Sequence, residues 1–254
     1  MWRDIIHTYS IVLQKEMTLR VYGQGGLPIL VFPCQDAMSD NFENFGMIDC
    51  LSDFLENSQI RLFCVDSIDQ ESWSNKNGDK AWRAWRQDQY FYYIADEVVP
   101  FIHEYTGSAD LPYLTGCSMG ANHAAITFLR APELFAGMIA LSGVYDATYF
   151  WDGWCNDTLY RNSPTAFIPN MPGDHPFIRL YNEKDIIFCI GQGAWEEEGL
   201  RTQRELDTAF AEKGIHAWFD YWGYDVNHDW PWWKKQLRYF LMRILYEKKY
   251  QQQQ

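Results

Sequence analysis

The sequence predicts an α/β domain: a mostly parallel central sheet flanked by helices on both faces. Three observations predict it. Short, wholly apolar runs such as "LPILVFP" (27–33) and "IRLFCVD" (60–66) have the composition of strands buried on both faces. Stretches with helical spacing alternate with these runs, the pattern of strand–helix–strand crossovers. The length, 254 residues, suits one large domain, which can bury roughly 70–75% of its unfolded surface without staples.

Taken in order, "YSIVLQ" and "MTLRVYG" predict a hairpin turning near Lys15 and Glu16. The strand 27–33 follows. In "FGMIDCLSDFLENSQ" Met47, Leu51 and Leu55 fall on one helical face, and 60–66 is the next buried strand. "YFYYIADEVVPFIHEYTG" (90–107) reads as an amphipathic helix that Pro100 should kink and Gly107 should end. "LPYLTG" is a third buried strand, and "ANHAAITFLRAPELF" continues as a helix stopping near Ala131 and Pro132. "FAGMIALSG" (135–143) is a strand, and "FIRLYNEKD" is expected to return to strand. A helix over 195–214 capped by Gly214, a last strand in "IHAWFDYWG" and a C-terminal helix with Pro231 in its first turn complete the alternation. One domain over 1–250 is expected, with "QQQQ" (251–254) as a disordered tail. The irregular aromatic segment at about 144–175 is too long for an ordinary connection and is expected to act as a lid.

Composition narrows the function. The formal net charge of −13 argues against nucleic acid and anionic membrane surfaces as partners. The six cysteines form no CxxC pair, so reduced, buried thiols are expected rather than a disulfide frame or zinc site. There is no leader-like stretch and no apolar run long enough to span a bilayer, so a cytoplasmic protein is expected. "GQGG" lacks the frame of a phosphate-binding loop, and no HExxH or EF-hand pattern occurs, so no cofactor and no metal are expected. Aromatic residues are plentiful, 17% of the chain, and suggest either a large core or a ring-lined pocket.

The chemistry-bearing stretch is "LTGCSMGANHA" (114–124). Gly116-x-Ser118-x-Gly120 at the end of a buried strand has the spacing of a nucleophile elbow, where a sharp strand-to-helix turn exposes the serine. A serine hydroxyl needs a base. His228, in "GYDVNHDWPWW" between the last strand and the last helix, belongs on the same sheet edge as Ser118, because the carboxyl ends of parallel strands open together. His175 is its rival. The same rule applied to "FIRLYNEKD" selects Asp185 as the acid, preferred over Glu183, with Asp146 and Asp152 as weaker alternatives. The order serine, acid, histidine is that of α/β-hydrolases. The oxyanion donors are expected to be the backbone N–H groups of Met119 and of Cys34, with Gln35 the alternative to Cys34. Gln35, Trp73, Trp151 and Trp154 are expected to contact substrate, while Trp82 and Trp85 either line the pocket or clamp a loop. Cys117 beside Ser118 should point away from the exposed elbow position.

"GCSMG", the acid after "RLYNEKD" and "NHDWPWW" resemble the putative-esterase family of α/β-hydrolases. That group includes S-formylglutathione hydrolases, feruloyl and acetylxylan esterases, and mycolyltransferases. The resemblance runs from about residue 10 to 246, and "VFPCQDAMSDNFENFGMIDCL" with "FCVDSIDQESW" looks like a narrower set of bacterial esterase-like proteins. It implies a triad of Ser118, Asp185 and His228, with Cys34 and Met119 at the oxyanion hole. One departure is Phe32-Pro33, where other branches carry glycine; Pro33 has no N–H to donate. The implied function is a serine carboxylic-ester hydrolase acting through an acyl-enzyme on a small acyl, aryl or sugar ester. The alternatives are an acyltransferase using the same acyl-enzyme, or an idle fold that binds carbohydrate or another protein. A homo-oligomer is compatible with either.

Overall fold

A computed structural model describes residues 2–251. Eight strands form one sheet in the order β1-β2-β4-β3-β5-β6-β7-β8. They are β1 (Arg3–Ser10), β2 (Lys15–Tyr22), β3 (Leu27–Phe32), β4 (Ile60–Val65), β5 (Tyr113–Cys117), β6 (Gly137–Leu141), β7 (Asp185–Ile190) and β8 (Trp218–Tyr221). β1 and β2 run antiparallel and β2 is antiparallel to β4; all other pairs are parallel. The carboxyl ends of β3, β5, β6, β7 and β8 therefore share one edge, and their loops can build a common site.

Helices cover both faces. After β3 come α1 (Asn41–Asn44), α2 (Met47–Cys50) and α3 (Ser52–Glu56). Between β4 and β5 lie α4 (Lys80–Tyr93) and α5 (Val99–Thr106), and α6 (Met119–Arg130) follows β5. Between β6 and β7 come α7 (Asp157–Tyr160), α8 (Pro164–Phe167) and α9 (Pro176–Asn182); α10 (Glu197–Lys213) and α11 (Trp230–Gln251) complete the chain. Strand alternation sorts the core into two layers. Leu30, Phe32, Leu114, Met138 and Ala140 meet α4, α5, α6 and α10 on one face. Ile29, Val31, Ile139, Leu141 and Cys189 meet α2, α3 and α11 on the other. A third cluster joins Trp73, Met119, Ile126, Trp151 and Leu159, so the 144–175 segment is folded into short helices with buried side chains.

Four expectations are corrected. The hairpin turns at residues 11–14, where Gln14 N–H donates to Ser10 O at 2.9 Å, rather than at Lys15 and Glu16. The helix predicted from residue 90 begins at Lys80, capped by Asp79, whose side chain accepts from Trp82 N–H. Before Pro100 the chain widens into a π-helical stretch, Ile94–Val98, which accommodates the missing proline donor. The C-terminal helix runs through Gln251, and the remaining residues of the expected tail, 252–254, lie outside the described residues.

The fourth correction matters most for the site. "FIRLYNEKD" is not a strand. Pro176 sits in the first turn of α9, and the His175 ring nitrogen Nδ1 accepts from Phe177 N–H at 3.2 Å, so this stretch starts as a capped helix. The strand is the following apolar run, Asp185–Ile190. Among the described residues no helix is long and apolar enough to cross a membrane.

Candidate active site

The elbow at β5–α6 is built from close backbone approach. A side chain at Gly116 would meet the Gly120 backbone at 2.4 Å, and one at Gly120 would meet Phe32 O at 2.4 Å. Only glycine fits either place. Ser118 itself adopts φ 57 and ψ −123, a backbone region a non-glycine residue rarely occupies, and its N–H is pinned to Leu141 O at 2.9 Å. That turn projects Oγ over the sheet edge.

His228 meets it there. Its Nε2 lies 2.9 Å from Ser118 Oγ, and its Nδ1 lies 2.9 Å from Glu196 Oε2. The imidazole is 23% exposed, whereas Glu196 is buried. The second carboxylate oxygen, Oε1, accepts from Ser142 Oγ–H at 2.6 Å, and Ser142 Oγ in turn accepts from Trp233 Nε1–H at 3.0 Å. The Trp233 ring also stands edge-on to His228, with centroids 4.9 Å apart. Both oxygens of the buried carboxylate are thus satisfied, and it sits immediately before helix α10, where the helix dipole favours negative charge.

Two loops are clasped to hold this pair. Gly193 N–H donates to Val226 O at 2.9 Å, Ala194 N–H to Asn227 Oδ1 at 2.9 Å, and His228 N–H to Ala194 O at 3.0 Å. A side chain at Gly191 would collide with Val226 O at 2.0 Å. The loop carrying Glu196 and the loop carrying His228 therefore form one unit.

Ser118 and His228 are brought together, but Asp185 is not with them. As the first residue of β7 it lies at the amino end of the sheet, where its carboxylate accepts from the Tyr113 hydroxyl. The carboxylate on His228 is Glu196, beyond the other end of the same strand. The alternative acids are elsewhere too: Glu183 pairs with Arg179, Asp146 accepts from Thr148 N–H, and Asp152 pairs with Lys80. The signal that could have found Glu196 is the run "DIIFCI", which is more apolar than "FIRLYNEKD"; the acid after it in "GQGAWEEEGL" follows from the same topological rule.

In the loop expected to supply the second oxyanion donor, the Cys34 N–H is not free. Cys34 N–H is already committed to Asn41 Oδ1 at 3.0 Å, and Asp36 N–H to Asp69 Oδ2 at 3.1 Å. Between them, Gln35 N–H has no partner among the described residues, and the Gln35 side chain donates to Ser74 Oγ at 2.7 Å. Met119 opens α6, where an N–H has no carbonyl one turn earlier to bond. Burial, with the Asp69 charge second, pushes the Cys34 thiol up to about 12. Burial likewise holds the Cys117 thiol well above its ordinary range, and Cys117 is fully buried in the sheet.

Two of the expected substrate contacts are core instead. Trp73 and Trp151 are 1% and 0% exposed, pack edge-to-face at 5.0 Å, and donate their ring N–H groups to Gln87 Oε1 and Lys80 O. Arg83 lies over the Trp151 ring at 4.4 Å and bonds the carbonyls of Ser72, Trp73 and Phe150, so these rings clamp the loops rather than wall a pocket. Trp154 is half-buried against the same cluster, Gln35 is exposed, and Trp82 and Trp85 are exposed on α4.

Solved structures share this architecture. A ferulic acid esterase superposes with a TM-score of 0.74 at 14% identity, covering 96% of this chain and 98% of that one. The S-formylglutathione hydrolase from Staphylococcus aureus gives 0.69 at 12% identity, covering 96% of each chain. MPT51 from Mycobacterium tuberculosis gives 0.74 at 14% identity, covering 96% of this chain and 98% of that one. No curated protein sequence matches the chain. These likenesses carry the α/β-hydrolase fold, and the family model described as "Putative esterase" matches residues 10–244; the chain belongs to that family and is a carboxylic-ester hydrolase.

Proposed function

We propose that the chain cleaves small carboxylic esters through an acyl-enzyme on Ser118, with His228 as general base and acid and Glu196 as the carboxylate that orients it. One observation carries this reading: the two ring nitrogens of His228 lie 2.9 Å from the Ser118 hydroxyl and 2.9 Å from the Glu196 carboxylate. In the first step Ser118 Oγ attacks the acyl carbon as its proton passes to Nε2. Glu196, accepting Nδ1–H, fixes the tautomer and stabilises the imidazolium. The carbonyl oxygen becomes an oxyanion facing the Met119 and Gln35 N–H groups. Collapse breaks the ester C–O bond, and Nε2–H returns its proton to the leaving alkoxide. Water then enters, loses its proton to Nε2 and releases the acid, restoring Ser118.

Trp73 and Trp151 belong to the core and do not wall the substrate side. Trp195 precedes Glu196 in the chain and is 83% exposed, and an exposed ring offers a face on which a flat aryl or sugar group can stack. The fold likeness to a ferulic acid esterase agrees with an aryl ester. A fluorophosphonate probe tests the mechanism. It should label Ser118 in the native chain and nothing in Ser118→Ala, and p-nitrophenyl, feruloyl and acetyl-sugar esters should then be ranked by kcat/KM. A native chain that stays unlabelled beside a reactive control esterase would sink the reading.

A further inference from the structure

A second histidine–carboxylate pair lies beneath the elbow. His123 Nε2 is 2.9 Å from Asp69 Oδ1, and both side chains are completely buried. We propose that His123 and Asp69 are positioning residues that set the spacing of the two oxyanion donors, an inference that rests on the esterase reading above. The connections run as one bridge. His123 belongs to α6, the helix that opens at Met119. Asp69 uses its other oxygen, Oδ2, to hold Asp36 N–H at 3.1 Å in the loop that carries Gln35. Asp36 is kept in the left-handed region, at φ 59. The Asp69 carbonyl also accepts from Ser74 N–H at 2.8 Å, and Ser74 Oγ grips the Gln35 side chain. Gln35 N–H thus has no partner among the described residues and lies between two tethered amides; the Asp69 carboxylate ties its loop to α6, in addition to the β3–β5 pairing of Phe32 with Gly116.

The alternative is that His123 only fills space. Its ring is enclosed by Phe32, Tyr90 and Trp73, at centroid distances of 5.8, 4.9 and 6.0 Å. A phenyl ring would pack there equally well and would avoid an unpaired nitrogen, because Nδ1 is buried with no partner among the described residues. An unsatisfied buried acceptor costs about 1–3 kcal/mol. What histidine adds over phenylalanine is one N–H aimed at Asp69, and without it a buried carboxylate would lose a donor.

The test uses the full chain with Asp69→Asn, His123→Phe and His123→Gln, assayed well below each melting temperature. Loss of an oxyanion donor costs about 10²–10³ in kcat, so Asp69→Asn and His123→Phe should lower kcat about 100-fold with KM within about twofold. His123→Gln, whose carboxamide can still donate to Asp69, should recover about tenfold of that loss. The double variant should be no slower than the slower single one, because both remove the same bridge. In parallel, amide exchange over residues 33–38 should quicken in Asp69→Asn and His123→Phe while β5 and β6 stay protected. Equal kcat in the Phe and Gln variants, or unchanged exchange over 33–38, would overturn the proposal. An inactive, unlabelled native chain would instead defeat the esterase reading, and the exchange measurement would still decide the positioning role. Should Asp69→Asn fail to fold, the Phe–Gln comparison at His123 decides it alone.

Discussion

Among the described residues the molecule contains two histidine–carboxylate pairs of equal length and opposite character. His228–Glu196 and His123–Asp69 both close to 2.9 Å. In the first, the remaining ring nitrogen faces a serine hydroxyl at the sheet edge; in the second it has no hydrogen-bond partner among the described residues and the ring is sealed. A histidine–carboxylate contact is therefore no signature of a catalytic base. The base needs a group to take a proton from, and room for substrate to reach that group.

The comparison can be sharpened by substitution. The largest effect is expected for Ser118→Ala, which should lower kcat by about 10⁶-fold, since the members of such a triad act as a unit. Glu196→Gln should keep the geometry but favour the wrong tautomer of His228, lowering kcat by about 10⁴-fold. A steady-state assay of that variant beside Asp185→Asn decides which end of β7 supplies the acid. Asp185→Asn should leave kcat unchanged and cost less than about 1 kcal/mol of stability, read by urea unfolding, because the carboxamide oxygen can still accept from the Tyr113 hydroxyl. Ser142→Ala removes the donor on Glu196 Oε1; a tenfold fall in kcat corresponds to about 1.4 kcal/mol and is the size expected. The smallest effect concerns thiols. With the Cys34 thiol pushed up to about 12, the reactive thiolate is scarce at any pH below that value, so iodoacetamide at pH 8 should leave activity intact. Inactivation protected by an ester substrate would show that the thiols take part after all.

What could be read in the sequence follows from how local each signal is. The elbow is legible because two glycines, a serine and a buried strand stand within a few residues, and close backbone approach admits only glycine at 116 and 120. His228 is legible from topology alone, as it lies in the loop between a strand and the last helix. Asp185, the expected acid, sits at the end of β7 away from His228. "FIRLYNEKD" opens on apolar residues that imitate a short strand, and the helix start in Pro176, with His175 as its cap, overrides that reading. Once β7 moves, the rule that chose Asp185 chooses Glu196. The oxyanion donor and the two buried tryptophans turn on hydrogen bonds between distant segments, such as Cys34 with Asn41 and Trp151 with Lys80, and no spacing along the chain encodes them.

The clasp between the Glu196 and His228 loops has an evolutionary consequence. Because backbone bonds from Gly193 to Val226 and from His228 to Ala194, with the Asn227 side chain on Ala194 N–H, join the two loops, lengthening one loop alone would pull Glu196 from His228, whereas matched insertions in both could carry the pair outward intact. Diversification of the mouth of this enzyme should therefore proceed by paired changes at these two positions, or spare them and fall on the segment after β6.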